Sequence, residues 1–445
     1  MKVLVTARQL SLDKTSEGIC SSKFILALSR AGYEVSCLTS DDIAGTDPAI
    51  SSVPWLESVR IKHIKSYGDD GAWTRLARLT ESLAAGGNAG AYARRKINGA
   101  IQYATGYRPY YWGQVDLWYR ALRQEVETEK PDLIFVRAAG QEFEPHMAML
   151  RWRPPVPWIA NYHDPYPLSL YPRPYCHRYP LISGWQESVH RKILAAAHAL
   201  TFPSRRLLEW VLRDDLEQYR RKALVIPHLA TDLPEPDSAI ETFKLPVLKS
   251  DDFTIVHTGT LLGERDPRVL LRGFLDFIKQ DGEKRERAHL VFVGRVFGEA
   301  RQHLTQSEWS QLIGPENLVC LDQRINYHRA IEIAKSAVSV VILEANAAES
   351  PFFPAKLADY LRLRKPILAL SPRMSVVADI LGPDYQLRVA PDDSHGVTSA
   401  LNTLWAHWTT GRLSELVPSQ SILDSMSEAA VLAKLECVFD RSLAC

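Results

Sequence analysis

Segments typical of strands and of helices alternate from end to end of this 445-residue chain. Runs such as KVLVT (2–6) and FTIVHTGT (253–260) are short, apolar and rich in β-branched residues, which is typical of buried parallel strands. The segments between them carry apolar residues at helical spacing, which is typical of amphipathic helices. The alternation predicts an α/β fold with mainly parallel sheets.

The length of the chain exceeds that of one ordinary hydrophobic core and indicates more than one domain. A stretch rich in proline and acidic residues, near 231–252, is the best candidate linker. We therefore predict a Rossmann-like amino-terminal domain over 1–235 and a Rossmann-like carboxyl-terminal domain over 236–426. Residues 67–130 interrupt the alternation with a helical, aromatic-rich pattern and are predicted to be an insertion. The last helix, within 427–445, is expected to pack back on the first domain.

Composition excludes several classes of protein. A hydrophobic content of 46% and a charged content of 24% are those of a globular protein. The chain has 53 basic and 52 acidic residues, and nothing in that balance indicates a nucleic-acid partner. The six cysteines are scattered without a C-x-x-C pair, which argues against a zinc site or a disulfide framework. No stretch approaches the roughly 20 apolar residues of a membrane-spanning helix, so a cytoplasmic location is expected.

The stretch ESPFFPAKLADYL follows a strand-like run and opens a helix. Free N–H groups and the dipole at a helix start attract anions such as phosphate. Lys356 adds a positive charge suited to phosphate, and Asp359, about one turn later, could accept hydrogen bonds from a ribose diol. The alternative is a solvated ion pair between Lys356 and Asp359, worth roughly a few tenths of a kcal/mol. Their spacing alone does not separate these interpretations.

Two further stretches, HTGTLLGERDPR and VFVGR, place polar residues at predicted strand ends. The first strand ends at Gly259 and Thr260, and Arg265 lies on the loop that follows. The planar guanidinium of Arg265 is suited to a phosphate, although an ordinary surface arginine is the alternative. Gly294 permits close backbone approach just before Arg295.

In the first half, NYHDPYP places His163 and Asp164 directly after a strand. A histidine there can bind a sugar hydroxyl or serve as a general base, and a structural His–Asp loop is the favoured alternative on sequence alone. The loop DKTSEG ends at Gly18, before the predicted first helix, where backbone amides could approach a diphosphate.

The sequence lacks the motifs of several nucleotide-binding classes. It contains neither G-x-G-x-x-G nor G-x-x-x-x-G-K, which removes the main signatures of dinucleotide-binding proteins and ATP hydrolases. No two aspartates lie two residues apart, so the usual Asp-x-Asp metal clamp for a nucleotide-sugar is missing. Arginine, lysine and helix dipoles would then have to offset the charge of a leaving diphosphate. We therefore expect no metal in the site.

Taken together, several of these stretches resemble the retaining glycosyltransferases of family 4, which have the GT-B architecture. The resemblance is carried by ALSRAGYEVSCLTS, NYHDPYP, AAAHALTFPS, HTGTLLGERDP, HLVFVGR and ESPFFPAKLADYLRLRKPILAL. The last stretch resembles the P-x-K-x-x-[ED]-Y variant found among transferases of surface polysaccharides. The resemblance implies two Rossmann-like domains facing across a cleft, a nucleoside-diphosphate-sugar donor, a saccharide or lipid-linked acceptor, and neither cofactor nor metal.

The resemblance also implies roles for individual residues. Lys356 and Arg265 would hold the diphosphate, and His163 would lie near the transferred sugar. Asp359 falls on the position of a family glutamate that binds ribose, and Glu349 is the acid nearest to the position of the other family glutamate. The remaining donor-contacting positions are Gly18, Gly259, Thr260, Arg295, Ser350, Pro351, Phe352 and Phe353.

Two alternative functions accompany this interpretation. The same architecture serves sugar-nucleotide 2-epimerases, and a non-catalytic regulatory subunit would bind nucleotide-sugar without turning it over. Aromatic residues of the insertion would either contact an acceptor or pack in the core, and core packing is the favoured interpretation. They include Trp73, Tyr110, Tyr111, Trp112 and Trp118. Peripheral contact with the inner face of a membrane is a further alternative, although the sequence pattern shows no clean basic amphipathic helix to support it.

Overall fold

The computed structural model describes residues 1–10, 15–40, 58–68, 71–175, 180–234 and 251–443. These residues form two α/β lobes, each built on a parallel sheet, so the predicted alternation of strands and helices is confirmed. Most of the predicted linker and the predicted boundary between residues 235 and 236 lie outside the described residues.

The first lobe contains a seven-stranded sheet. Its strands are β1 (Lys2–Ala7), β2 (Glu34–Thr39), β3 (Arg60–His63), β4 (Leu133–Arg137), β5 (Trp158–Asn161), β6 (Ala199–Phe202) and β7 (Ala223–Val225). They are parallel throughout and lie in the order β3-β2-β1-β4-β5-β6-β7, with Val3 opposite both Val35 and Leu133. Strands β4, β5 and β6 are fully buried, because helices cover both faces of a doubly wound sheet.

Seven helices of the described residues surround this sheet. They are α1 (Ser16–Arg30), α2 (Ala72–Ser82), α3 (Gly87–Thr105), α4 (Pro109–Glu129), α5 (Glu144–Met149), α6 (Pro180–Ala196) and α7 (Arg205–Val211). Helices α2, α3 and α4 stand between β3 and β4 and occupy most of the region predicted to be an insertion. Helix α4 fixes this group to the lobe, because Trp118 and Leu122 are fully buried in the core of the first sheet.

The second lobe contains a six-stranded parallel sheet and a two-stranded one. The strands are β8 (Phe253–Thr258), β9 (Ala288–Val293), β10 (Leu318–Leu321), β11 (Ser339–Leu343), β12 (Glu349–Ser350), β13 (Ile367–Leu370), β14 (Met374–Ser375) and β15 (Arg388–Val389). The larger sheet has the order β10-β9-β8-β11-β13-β15, and β12 pairs with β14.

The helices of the second lobe alternate with these strands. They are α8 (Arg268–Ile278), α9 (Gly282–Arg287), α10 (Glu299–Thr305), α11 (Glu308–Ile313), α12 (Tyr327–Ser336), α13 (Ala355–Arg362), α14 (Val376–Leu381), α15 (Ser394–Thr409), α16 (Gln420–Asp424) and α17 (Glu428–Leu443). Helix α17 packs on the first lobe, where Val438 and Phe439 share a core with Val5 and Phe135. Among the described helices, none combines the length and the apolar character needed to cross a membrane.

The carboxyl ends of the two sheets face each other. In each sheet the strand order reverses beside the first strand of the lobe, between β1 and β4 and between β8 and β11. Ligands of doubly wound sheets bind at such reversal points, outside the carboxyl ends of the strands. Helix α1, which follows β1, contacts helix α13, which follows β11, through an ion pair between Lys23 and Asp359. The crevice between these strand ends is therefore the place to look for a site.

Candidate functional site

Lys356 points away from Asp359 and toward the end of β8. It lies in the first turn of α13, which starts after Pro354. Its Nζ lies 3.0 Å from Nε2 of His257 and also donates a hydrogen bond to the backbone oxygen of Thr258. Burial, together with the nearby charge of Arg265, holds the pKa of Lys356 well below its usual value. The geometry excludes the solvated Lys356–Asp359 pair that the spacing left open.

Arg265 adds a second cation beside Lys356. Within the described part of the chain, its guanidinium forms no ion pair, and its buried Nε has no hydrogen-bond partner. The same charge lowers the pKa of Asp164 in the first lobe, so Arg265 faces across the crevice. Two half-buried cations lie side by side here, and neither has a directly bound acid among the residues that the structure describes. Such a pair is suited to a multivalent anion.

Two glycines allow the strand-end loops to meet behind these cations. Gly259 has a φ of 91° and Gly294 has a φ of 138°. Residues other than glycine rarely adopt such positive φ values. A Cβ on Gly294 would lie 2.3 Å from the backbone oxygen of Gly259, and one on Gly259 would lie 3.4 Å from Nζ of Lys356. The positive φ therefore favours glycine at both positions, and the close approach of the two loops requires it at Gly294.

Glu344 is a buried acid at the crevice that the sequence reasoning missed. It follows β11 directly and is 5% exposed. Ser350 donates a 2.7 Å hydrogen bond to Oε1 of Glu344, whereas the buried Oε2 has no partner in the described part of the chain. Burial raises the pKa of Glu344 to about 7, against the opposing effects of Ser350 and Arg265. The available signal was an acid directly after a fully apolar strand, in VVILE.

His163 and Asp164 lie on the first-lobe side, together with Glu17, which the sequence reasoning also missed. Ligand atoms of these three side chains lie within 4.8 Å of one another. Burial raises the pKa of Asp164 to about 6, and the nearby Glu17 raises it further, while His163 and Arg265 lower it. A cluster of this composition can accept hydrogen bonds from sugar hydroxyls, and it also has the donor atoms for a divalent cation.

Gly18 does not occupy the place that the sequence predicted. Helix α1 begins at Ser16, so Gly18 lies inside its first turn, not before it. The predicted start was wrong because Thr15 caps the helix, and its Oγ1 accepts a 3.1 Å hydrogen bond from the amide of Gly18. That amide is therefore already used and is not free to approach a diphosphate.

Asp359 is buried in the contact between the lobes. Lys23 and the hydroxyl of Tyr327, the latter at 2.8 Å, both donate to its Oδ1. No other hydrogen bond to the carboxylate of Asp359 occurs among the described residues, so Oδ2 remains available as an acceptor. Asp359 thus combines a structural contact with a free acceptor atom at the crevice.

The segment from Glu349 to Phe353 also makes contacts between the lobes. Glu349 forms an ion pair with Arg206 of the first lobe. The ring of Phe352 lies 5.3 Å from that of Tyr171 and 5.2 Å from that of Tyr175. Pro351 is buried, as are Ser350 and Phe353. The carboxylate of Glu349 is therefore committed to Arg206 in this structure.

The remaining predicted positions differ in how close they lie to the cations. Thr260 is half-buried and continues the loop from Gly259. Arg295 is exposed, and its carbonyl oxygen accepts a 2.9 Å hydrogen bond from the amide of Leu261. The structure thus brings together Lys356, Arg265 and Gly259, whereas the side chain of Arg295 is exposed to solvent.

The aromatic residues of the insertion serve mainly in packing. Trp118 is fully buried, and the rings of Trp73 and Trp112 stack with centroids 5.9 Å apart. Tyr111 is partly buried, and its hydroxyl accepts a 3.0 Å hydrogen bond from the amide of Phe143. Tyr110 is the exception, since it is 54% exposed and lines a cavity of about 380 Å³ between the helices of the insertion.

Comparison with known proteins supports the fold. No family model matches the sequence, and no curated protein matches it. Among solved structures, sucrose-phosphate synthase from Thermosynechococcus elongatus superimposes with a TM-score of 0.62 at 14% identity, over 100% of this chain and 99% of that one. Anabaena Alr3699/HepE in complex with UDP and glucose gives 0.61 at 13% identity, over 99% of both chains. A glycosyltransferase from Rickettsia africae gives 0.60 at 10% identity, over 99% of this chain and 98% of that one. The fold class is confirmed as GT-B.

Proposed function

We propose that the protein is a glycosyltransferase that moves a sugar from a nucleoside-diphosphate-sugar to a hydroxyl group of an acceptor. The observation that carries the proposal is the pair of cations, Lys356 and Arg265, at the strand ends that face the crevice. A diphosphate placed between them would relieve their mutual repulsion and replace the hydration that both have lost. The GT-B fold supports the same conclusion, since enzymes with that fold bind their donors between two such lobes.

Three contacts would orient the donor. Lys356 and Arg265 would take the diphosphate, and the free Oδ2 of Asp359 would accept a hydrogen bond from a ribose hydroxyl. The transferred sugar would then extend toward the first lobe, where His163 and Asp164 offer polar atoms. The structure of Anabaena Alr3699/HepE in complex with UDP and glucose makes uridine diphosphate the first nucleotide to test.

We propose that transfer retains the configuration of the anomeric carbon and needs no metal ion. The bond between that carbon and the diphosphate oxygen breaks while the acceptor oxygen bonds to the same face of the carbon. The proton of the acceptor hydroxyl passes to the departing phosphate. Lys356 and Arg265 would hold the negative charge as it develops on the diphosphate, a form of stabilisation worth roughly 3–4 kcal/mol for a single donor in other enzymes. The absence of an Asp-x-Asp pair from the sequence supports this assignment of the role to cationic side chains.

The acceptor would be a saccharide or a lipid-linked saccharide in the assembly of a surface polysaccharide, in the cytoplasm. The P-x-K-x-x-[ED]-Y stretch that contains Lys356 supports this class of acceptor. A cytoplasmic site of action agrees with the free state of the four cysteines in the described part of the chain, which are Cys20, Cys37, Cys320 and Cys437.

The first experiment is a thermal-shift screen of the purified protein with UDP, GDP, ADP, CMP and dTDP in buffer containing EDTA. One diphosphate should raise the unfolding midpoint, because a ligand that binds the native state stabilises it by mass action. The matching sugar nucleotide, incubated with candidate acceptors, should yield a product whose anomeric configuration is read by NMR. No shift with any of the nucleotides, either in EDTA or with an added divalent cation, would contradict the proposal.

Two controls separate the alternatives. Incubation with donor alone would yield an isomerised sugar if the protein were a 2-epimerase, and binding without turnover in the presence of every acceptor would indicate a regulatory subunit. Loss of binding in EDTA, restored by a divalent cation, would show that the metal-free mechanism is wrong. Glu17, His163 and Asp164 would then be the first candidate ligands.

A further inference from the structure

Helix α3, Gly87–Thr105, lies on the surface of the insertion without a single buried residue. Its 19 residues extend over about 28 Å at the rise of an α-helix. A helix normally buries one face against its own domain, and most helical stability comes from that packing. The outer face of α3 is therefore available to a partner along its whole length.

The charge of this region differs in sign from that of the rest of the chain. Residues 71–108 contain six basic residues and one acid, Glu81, which gives a local charge of +5. The whole chain carries +1, so the remainder carries −4. Helix α3 itself contains Arg94, Arg95 and Lys96 and no acidic residue. These three residues form no ion pair within the part of the chain that the structure describes.

Large apolar side chains interleave with these cations. Twelve large hydrophobic residues are exposed in the described part of the chain, and five of them fall between residues 79 and 110. They are Leu79, Tyr92, Ile97, Tyr103 and Tyr110. Trp185 of α6, which is 50% exposed, adjoins them, because its Cβ lies 2.7 Å from the position of a Cβ on Gly106. The cluster extends the apolar surface beyond α3 itself.

The tyrosines and a lysine share one face of α3. Tyr92, Lys96 and Tyr103 are separated by four and seven residues, which places them in line on a helix. Nζ of Lys96 lies 5.5 Å from the centroid of the Tyr92 ring. Arg95 borders this line on one side. The face thus presents amphipathic rings with positive charges among and beside them.

We propose that this face of α3 binds the surface of a bilayer that contains anionic phospholipids. Tyrosine rings are favoured at the level of lipid headgroups, and each basic residue near an anionic surface contributes to binding. A nucleic acid or an acidic protein would account for the charge, but not for Ile97, Leu79 and Trp185 beside it. The proposal does not depend on sugar transfer, and its test uses no nucleotide.

The test is flotation of the full-length protein with vesicles of phosphatidylcholine and phosphatidylglycerol, compared with vesicles of phosphatidylcholine alone. We expect binding to the anionic vesicles only, and weaker binding as salt increases. Arg95→Glu with Lys96→Glu should lower the partition coefficient at least about 20-fold, since each cation near an anionic surface is worth about 1 kcal/mol. The matched control is Lys279→Glu with Lys434→Glu, which makes the same change of charge at two exposed lysines outside the insertion.

A second variant tests the apolar part of the surface. Tyr92→Ser with Tyr103→Ser removes two exposed rings and leaves the charge unchanged, so binding should weaken severalfold while the unfolding midpoint stays the same. The proposal is overturned if the protein does not float with anionic vesicles, if it binds polyanions such as heparin in their place, or if the Arg95/Lys96 variant binds as the control does.

Discussion

Each charged group of the crevice has a physical setting that sequence alone does not display. Lys356 lies beside Arg265 and against the neutral ring of His257, and burial lowers the pKa of both Lys356 and His257. An anion bound there would stabilise the protonated amine and raise the pKa of Lys356. Lys356 and Arg265 therefore repel each other, and a bound diphosphate would offset that repulsion.

Glu344 provides a prediction about pH. Burial raises its pKa from 4.5 to about 7, so the folded protein keeps a proton that the unfolded chain has lost between these values. Its contribution to stability is present in full below pH 4.5 and is lost as the pH rises through 7. The unfolding free energy of wild type minus that of Glu344→Gln should therefore fall by up to about 3 kcal/mol between about pH 5 and about pH 8.

Urea unfolding of both proteins at the two pH values measures this difference. Glu299→Gln, at an exposed position in the first turn of α10, is the control and should show no comparable trend. A difference between wild type and Glu344→Gln that stays constant, or that grows with pH, would contradict the assignment.

At the scale of helices and strands, the sequence predicted most of the framework. The runs KVLVT and FTIVHTGT form β1 and β8 as predicted, because apolar runs bounded by turn residues identify buried parallel strands well. The sequence analysis placed the start of α1 after Gly18, but the helix begins at Ser16. The residues around the cap, Thr15, carry no apolar pattern that would indicate a helix. The amphipathic character of α3 was also missed, because glycine and alanine dilute its pattern and only the fold shows which side faces out.

The candidate site was predicted less completely than the fold. Lys356 and Arg265 were identified because both stand at helix starts that follow strands, where anions bind. Glu344, His257 and Glu17 were missed, since their place in the site depends on which loops the fold brings together. No local sequence pattern contains that information.

The loop after β9 approaches the loop after β8 closely at Gly294, and this contact gives a prediction about stability. Alanine at Gly294 would place a Cβ 2.3 Å from the backbone oxygen of Gly259, in a backbone conformation that only glycine adopts easily. Gly294→Ala should lower the unfolding free energy by about 2–4 kcal/mol, from overpacking and backbone strain together. Denaturant unfolding measures the change.

Gly382 offers a matched control for this prediction. It has a φ of 90°, with nothing within 4 Å of an added Cβ, so Gly382→Ala should show the backbone cost alone, about 1 kcal/mol. Equal losses at the two positions would show that the approach of the loops at Gly294 is not what requires glycine.

At the scale of the whole molecule, ion pairs join the lobes around the crevice. Arg206 of the first lobe pairs with Glu349 and Asp379 of the second, and Arg30 pairs with Glu428 of α17. The pair between Lys23 and Asp359 differs from these, because both side chains are buried. A motion that separates the lobes at this point would therefore break a buried ion pair.

Because of the buried pair between Lys23 and Asp359, a substitution at Asp359 should affect the stability of the protein. Because Asp359→Ala leaves Lys23 buried without its anion, it should destabilise the protein by about 3–5 kcal/mol, and Lys23→Met should cost a similar amount. The double variant should be less destabilised than the sum of the two, since it leaves no uncompensated charge. Unfolding measurements on the four proteins give the coupling energy, and simple additivity would show that the pair does not form in solution.

The central claim, that Lys356 and Arg265 form a cationic diphosphate site between the lobes, is tested most directly by calorimetric titration of the preferred nucleoside diphosphate in EDTA. Lys356→Ala should raise Kd about 10- to 100-fold, as expected for a lost charge-assisted contact, and Lys279→Ala, at an exposed lysine directly after α8, should leave Kd unchanged. Equal affinity of wild type and Lys356→Ala would contradict the account.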